Sequence, residues 1–446
     1  MTSNSRRVVI TGMGLITPLG ISLDSVVSHL REGRSGIAML ERVPSGNLPS
    51  DIAGEVRDFN GNIAEFGDSI EKKTKRNIKK GLKLMCREIQ MGVAAAQRAL
   101  IDAGLSSEET TPDNRIYDPE RIGTMFGSDY IVTEPDEFTV GVRNCMDDEG
   151  KFNFEDWSEK GLTAVEPLWL LKYLPNMPAS HVAIYNDLRG PSNSITVREA
   201  GANLALAEAV TTIRRGAADI MVAGATGSKI QSLRTIHVSL QEQLADRHKE
   251  PANGEASRAS RPFDMHRTGA VLAEGAGVLI LEDMEYAQNR NAGILGEIIG
   301  YSSSSVASTT GVADYQTAFE NVIDGALETS GLEASEIGHI HAHGLGTLQS
   351  DRDEARAIAS RFNGTPVVAA KSYSGNMGGG SGMLEVATSL HSIRAGNLFK
   401  TLNYETADPD CPVNVVTDDS TPSGDCFLNL NITPQGQASA VVVRTV

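Results

Sequence analysis

The stretch SITVREAGAN, residues 194–203, decides how this chain is read. RGP (189–191) precedes it and LALAEAVTTIRRGAADIMVAG follows, so a short apolar strand, a turn and an alanine-rich helix succeed one another. Enzymes hold nucleophiles in such settings, because the free N–H groups and dipole of a helix N-terminus stabilise an anion. At the turn stands Glu199, not Cys or Ser. The stretch is therefore a working site with different chemistry, a site that has lost its chemistry, or a helix-terminal acid that never had any.

Outward from this turn, the pattern is that of a layered α/β protein. RRVVITGMGLITPLG (6–20) reads as a buried strand entering a Gly-rich turn, with a helix to follow and Asp24 near its start. ADIMVAGAT (218–226) and GVLILEDM (277–284) are further near-continuous apolar runs of strand length, the signature of parallel sheets covered on both faces. Helical periodicity between them gives β–α alternation. HKEPANGEASRASRP (248–262) is too polar and turn-rich for anything but a loop, and NCMDDEGKFNFEDWSEKG (144–161) reads as an acidic surface excursion.

A chain of 446 residues exceeds what one hydrophobic core usually supports, so two domains or two fused halves are expected. The net charge of −17 argues against a general nucleic-acid binder, which needs basic surface to neutralise phosphates. No run of 18 or more apolar residues occurs and MTSNSRRVVITG has no signal-peptide core, so a soluble, cytoplasmic protein without membrane association is expected. Cys86, Cys145, Cys411 and Cys426 lack CxxC spacing, and none sits at a strand-to-helix turn with a nearby His. That pattern leaves no cysteine zinc site and no evident cysteine nucleophile.

GANLALAEAVTTIRRG (201–216) also echoes SGMLEVATSLHSIRAG (381–396) at a constant offset of 180 residues, taken as 384 − 204. Leu204/Leu384, Ala207/Ala387, Ile213/Ile393, Arg214/Arg394 and Gly216/Gly396 are identical pairs. Two related halves would bring both helix N-termini towards one internal site.

RVVITGMGLITPLG, RPFDMHRTGAVLAEGAGVLILEDME (261–285), HAHGLGTLQSDRDEARAI (341–358) and KSYSGNMGGGSGMLE (371–385) together resemble the β-ketoacyl-acyl carrier protein synthases of the synthase II and polyketide ketosynthase type. The likeness runs from about residue 6 to the C-terminus with the motifs in family order. It implies the thiolase fold, an α/β protein of two similar halves in a five-layered α-β-α-β-α arrangement. The halves are expected at 1–286, with a surface insertion at about 130–165, and at 287–446. The resemblance also implies a dimer, an acyl carrier protein as partner, and no cofactor or metal.

Carried over residue by residue, the family's catalytic Cys falls on Glu199. Its first His is His343 and its Lys is Lys371, while its second His becomes Asn376 in KSYSGN. The acidic residue downstream of the first His matches Glu354, with Asp351 also in place. The family's Gly-Phe-Gly-Gly gating loop aligns with NLNITPQGQASA (429–440), which sets Ile432 at the gating Phe and keeps only Gly436 of the glycines. Arg267 and Glu274 match structural ion-pair residues of the family core.

A carboxylate is a poor acyl acceptor, so condensation through a covalent acyl-enzyme is not expected. Glu199 could instead serve as a general base or as a plug mimicking a bound acyl carboxylate. His343 and Asn376 could still bind a thioester carbonyl, since an amide also donates a hydrogen bond. A carboxylate within ~4–6 Å of a malonyl carboxylate would repel it, unless Glu199 is protonated or paired with His343. His339, His341 and His343 alternate as on one strand face, a weak metal pattern better read as strand-end packing around one retained site His. Gly378–Gly380 and Gly382 lack a following GK[ST], so they suit close backbone approach beside the site rather than phosphate binding.

EKKTKRNIKK (71–80) is the one dense basic run, either a solvated helix face or a dock for acidic acyl carrier protein through Lys72, Lys73, Lys75 and Arg76. The function expected is a non-condensing, chain-length-factor-like or acyl-carrier-binding subunit, as a homodimer or as a heterodimer with an active ketosynthase. The alternatives are a Cys-independent enzyme, such as a malonyl-carrier decarboxylase or base-catalysed acyl transferase or cyclase, and, less favoured, a working 3-oxoacyl synthase.

Overall fold

The computed structural model describes residues 6–446 apart from Ser45, Asn47 and Pro112. The first five residues, read above for a targeting signal, lie outside the described residues. Eleven strands form one sheet: β1 (Val8–Ile16), β2 (Ile122–Ser128), β3 (Ser192–Thr196), β4 (Ile220–Ser228), β5 (Glu274–Asp283), β6 (Gly296–Ser305), β7 (His339–His341), β8 (Pro366–Val368), β9 (Asn414–Val415), β10 (Cys426–Ile432) and β11 (Gln437–Arg444). Their spatial order is β9-β8-β7-β10-β11-β6-β1-β5-β4-β2-β3. The helices that matter here are α1 (Leu23–Glu32), α2 (Lys72–Gly81), α3 (Arg87–Asp102), α4 (Gly201–Arg214), α5 (Ser232–Ser239), α6 (Tyr315–Ser330), α7 (Leu348–Arg361) and α8 (Ser381–Ala395). Asp24 lies in the first turn of α1, which Ser22 caps.

Two halves of the sheet repeat one topology. The first runs β3-β2-β4-β5-β1 and the second β8-β7-β10-β11-β6, with β9 added at the outer edge. In each, the three outer strands are parallel and the next two join antiparallel. The halves meet where β1 pairs with β6, Val9 opposite Glu297. The two central helices, α4 and α8, are the matched pair of the 180-residue echo, and both end at a left-handed glycine, Gly216 (φ 75°) and Gly396 (φ 88°). They lie between the half-sheets: α4 packs on β2, β4 and β11, and α8 on β5, β10 and α4. On the outside, α3 covers β1 and β5, while α6 and α7 cover the second half. The layers are therefore α-β-α-β-α.

The apolar runs that suggested parallel strands belong to a mixed sheet. β5 is antiparallel to both neighbours, β1 and β4, and β4 is parallel only to β2. Burial explains why they look parallel: helical layers cover both faces, all ten β5 residues are buried, and apolar side chains are needed on each face whatever the strand direction. The segment after β2 is the acidic excursion, a short helix and single turns across Phe154–Ala164, and it is largely exposed. No described helix is long and apolar enough to cross a membrane.

Candidate functional site

Glu199 lies in the tight turn Arg198–Ala200 that carries β3 into α4. Arg198 takes φ 52°, a left-handed conformation unusual for a side chain with a Cβ, and this turns Glu199 inward until it is 1 % exposed. Its carboxylate meets three donors. Lys229 Nζ, one residue past the end of β4, bonds Oε1, Asn376 Nδ2 donates to the same oxygen at 3.2 Å, and Arg198 Nε stands 3.4 Å from Oε2. Glu242 completes a quartet: its Oε1 accepts from Arg198 Nη2 at 2.7 Å and lies 3.5 Å from Lys229 Nζ. All four charged side chains are buried.

Burial alone would push the Glu199 carboxyl upward. Arg198 and Lys229 outweigh that and hold it well below the ordinary carboxylate range. Glu199 is therefore an anion, but an anion already matched. Glu199 pairs with Lys229 and Arg198 and not with His343, because these two basic groups reach Oε1 and Oε2 while the imidazole faces Lys371 and Asn431.

Asn376 has a settled orientation. The N–H of Gly378 can only donate, and it points at Asn376 Oδ1 from 3.0 Å, which turns the amide nitrogen towards Glu199. The donor expected for a thioester carbonyl is thus occupied by the carboxylate. Gly378 itself must be glycine, since its φ is 60° and a Cβ there would sit 2.1 Å from Asp129 Oδ2.

His343 comes from the loop between β7 and α7. Its backbone N–H and that of Gly344 both donate to Glu354, at 2.6 and 2.9 Å, and the next two amides, of Leu345 and Gly346, donate to Asp351. Glu354 and Asp351 thus shape the loop from its buried side and do not line the cavity beside Glu199. Burial pushes Glu354 up to about 8 and Asp351 up to about 6. The His343 ring is driven down to about 3, first by burial and then by Lys371, so it is a neutral imidazole at neutral pH. Its Nδ1 lies 3.3 Å from Lys371 Nζ and 3.4 Å from Asn431 Oδ1. Lys371 is fixed by the His343 carbonyl at 2.7 Å and by Glu385, whose other oxygen accepts from Asn429 and Asn431.

A cavity of about 210 Å³ reaches Glu199 and is lined by Glu242, Tyr315, His343, Ile432 and Pro434 among others. Ile432, the last residue of β10, is 2 % exposed and forms part of its wall. Gly436 closes the following turn at φ 83°, donating to Thr433 O, and does not line the cavity. Tyr315 from α6 holds this turn through the Pro434 carbonyl at 3.0 Å. No cysteine lines the cavity, and burial pushes the Cys86 and Cys411 thiols up to about 12.

The three histidines part company. His339 and His341 share Ser389 Oγ at 3.0 and 2.8 Å, His339 reaches the Ser423 carbonyl, and the Ala370 N–H donates to His341 Nε2. Every ring nitrogen of these two is in use by the packing. Arg267 and Glu274 make ion pairs with other partners, Asp408 and Arg87. On α2, Thr74 and Ile78 face inward while Lys72, Lys73, Arg76, Lys79 and Lys80 are exposed and Lys75 is half-buried. None of these bases makes an ion pair with a described residue.

Lys229, Arg198, Glu242, Glu385 and Asn431 escaped sequence reading. The one local signal was a lysine standing directly after the apolar run of β4, where a buried charge needs a partner.

The repeated halves, the paired central helices and the turn-borne site define the class. The chain belongs to the β-ketoacyl synthase family: the sequence profile of the β-ketoacyl synthase N-terminal domain matches residues 5–287 and that of the C-terminal domain residues 295–405. It is 32% identical over 418 residues to a 3-oxoacyl-[acyl-carrier-protein] synthase 2 of Synechocystis sp., covering 92% of this chain and 91% of that one. Among solved structures it matches a β-ketoacyl synthase from Burkholderia phymatum with a TM-score of 0.80 at 26% identity, over 99% of this chain and 100% of that one. It also matches the ishigamide ketosynthase/chain length factor with a TM-score of 0.79 at 25% identity and the same coverage. The fold is thus that of the thiolase-type ketosynthases.

Proposed function

We propose that this protein occupies the ketosynthase place in fatty-acid or polyketide biosynthesis without condensing, as an acyl-carrier-binding partner of an active ketosynthase. The observation that carries this is the closed pairing of Glu199, at the position of the family nucleophile, with Lys229 and Arg198. A carboxylate so held neither accepts an acyl group nor leaves Asn376 free to stabilise an oxyanion. The relatives' carrier-protein substrates and the likeness to a ketosynthase/chain length factor support the partner assignment. So does α2, whose exposed bases suit an acidic carrier protein. β3 pairs with β2 on one side only and stands at the sheet edge with Ser192, Asn193 and Thr196 exposed, which leaves its outer edge open to a second ketosynthase-like chain. Mixing the protein with a Cys-containing ketosynthase of the same genome tests the reading: complex formation and an altered product length are expected, and neither appearing would overturn it.

One observation favours a second reading. His343 is neutral, lines the same cavity as Glu199 and is braced by Lys371, an arrangement that could polarise a thioester carbonyl during loss of CO2. Malonyl-carrier turnover that vanishes in His343→Ala would establish that activity; no turnover in the wild type would dispose of it.

A further inference from the structure

The side chain of Arg198 is held at three points. Nη2 gives to Glu242 Oε1, Nε stands beside Glu199 Oε2, and Nη1 gives to Gln241 Oε1. The first two lie within the buried quartet, and the third leads outward. Gln241, just past α5, sets its amide nitrogen 3.0 Å from His237 Nε2, and the Tyr130 hydroxyl lies 2.6 Å from His237 Nδ1. Arg234 fixes the Tyr130 ring from one face, with its guanidinium carbon 3.4 Å from the ring centroid, and donates to the Tyr130 carbonyl. An exposed imidazole is thereby linked to the turn that carries Glu199.

The proton positions in this chain follow from what each group can do. Arg198 can only donate, so the Gln241 oxygen faces it and the amide nitrogen, also a donor, faces His237. His237 Nε2 must therefore accept, which leaves the one proton of the ring on Nδ1, directed at the Tyr130 oxygen. The arrangement suits a neutral imidazole alone. A second proton, on Nε2, would set donor against donor. Turning the amide over to meet it would present the –NH2 group to Arg198 and move the conflict one link inward. Gln241 has no side-chain bonds besides these two among the described residues, so either outcome loosens its hold on Arg198.

The surroundings do not offset such a proton. The charged groups around α5 are Arg234, one turn before His237 and paired with Asp129, and Glu134, which bonds Gln231 at the start of the helix. Beyond Gln241 stand Arg198, Glu199 and Glu242. No described carboxylate hydrogen-bonds the imidazole. Arg198 itself holds φ 52°, a conformation that persists only where its surroundings over-determine it. Its side-chain anchors are part of that constraint.

We propose that Tyr130, His237 and Gln241 form an acid-sensitive latch on the Glu199 turn. Neutral His237 keeps Arg198 anchored, and protonation within the range where imidazoles change charge, about pH 5–8, slackens the turn. As regulation of the site, this rests on the reading that the Glu199 pairing closes it; the latch itself does not.

Two measurements on the full chain test it. Nuclear magnetic resonance of the protein labelled with ¹⁵N-histidine, with His237→Phe to assign the signal, should find the Nδ1–H tautomer at pH 8. Hydrogen exchange read by mass spectrometry over residues 196–204, corrected for the intrinsic pH dependence of amide exchange, should show protection falling about tenfold between pH 8 and pH 5, the effect of one charge-assisted hydrogen bond. Asp351 and Glu354 also titrate there, at about 6 and about 8, and His237→Phe keeps both while removing the step expected from the latch. Gln241→Glu offers an oxygen to Arg198 and to a protonated His237 together. It should hold the turn at both pH values and raise the His237 titration midpoint by about one unit or more. Both positions are exposed, so both variants should fold. An Nε2–H tautomer at pH 8, equal protection at the two pH values, or the same loss in His237→Phe would overturn the proposal. Complex formation with a ketosynthase is measured separately at both pH values: its absence at both counts against the partner reading and leaves an observed latch standing, whereas a complex without the exchange step counts against the latch alone.

Discussion

Replacing Lys229 by Met tests the quartet most directly. In the folded protein two bases, Lys229 and Arg198, serve two acids, Glu199 and Glu242, all out of water. Met keeps most of the side-chain volume and removes one base, so Arg198 alone must serve both carboxylates. Removing one partner of a buried pair costs about 3–5 kcal/mol, because the remaining charge loses its compensation without regaining water. Unfolding entropy of about 2.1 cal/mol/K per residue over 446 residues is about 0.9 kcal/mol/K, so the midpoint should fall by only about 3–6 °C. Denaturant titration is the better assay, read as a lowered midpoint at unchanged slope. Glu199→Gln alone should cost less, about 1–3 kcal/mol, since Lys229 keeps Glu242. The double variant should then be less damaged than the sum of the singles by about 2 kcal/mol. The pH dependence has a definite sign. The folded-state pKa of Glu199 is depressed, so its contribution is present above the unfolded carboxyl value and is lost as pH falls through the folded one. Lys229→Met should therefore flatten the acid limb of the stability curve. A Lys229→Met protein within about 0.5 kcal/mol of wild type, or a strictly additive cycle, would falsify the claim that this pair holds the site shut.

Other outcomes can be checked with less effort. His343 titrates near 3 when folded and near 6.5 when unfolded, so the stability it confers by staying neutral is present above about 6.5 and drains away down to about 3; His343→Asn should shallow the loss of stability over that interval in pH-resolved denaturation. Glu199→Cys should give a thiol that reacts with iodoacetamide faster than Cys86, Cys145, Cys411 and Cys426, since Lys229 and Arg198 favour thiolate there; labelling slower than the native thiols by peptide mass mapping would contradict the electrostatics. Reversing charge at Lys72, Lys73 and Arg76 should weaken carrier-protein binding and its salt dependence while leaving the melting midpoint within about 1 °C, because these side chains are exposed and unpaired among the described residues; unchanged binding would move the dock off α2.

Much of the site was legible in local sequence because each piece is local. A strand, a turn and an Ala-rich helix around SITVREAGAN mark where Glu199 must sit, and KSYSGN and HAHGLGT place Asn376, Lys371 and His343 on segments that the repeated topology brings to it. Glu354 was legible as a site residue but not as a loop brace, since only the fold shows its carboxylate spent on the His343 and Gly344 amides. Strand direction in β5 was misread because burial on both faces erases the alternation that would betray an antiparallel strand.

What the sequence determined by residue type and short-range periodicity was the β–α alternation and the strand, turn and helix that set Glu199 at a helix entrance, and the thiolase-type architecture followed from its resemblance to the ketosynthases. What only the tertiary structure decided was the state of that turn. Whether a carboxylate there is a base, a plug or a bystander depends on which charges lie within about 4 Å of it. Here they come from neighbouring Arg198 and from Lys229, thirty residues on at the end of another strand, while the neutral amide of Asn376, in the other half of the molecule, donates to the same oxygen. Coulomb attraction in a dry interior acts through distance in space and is indifferent to distance along the chain, so a local reading could mark Lys229 as a buried base in need of a partner but not name Glu199 as that partner.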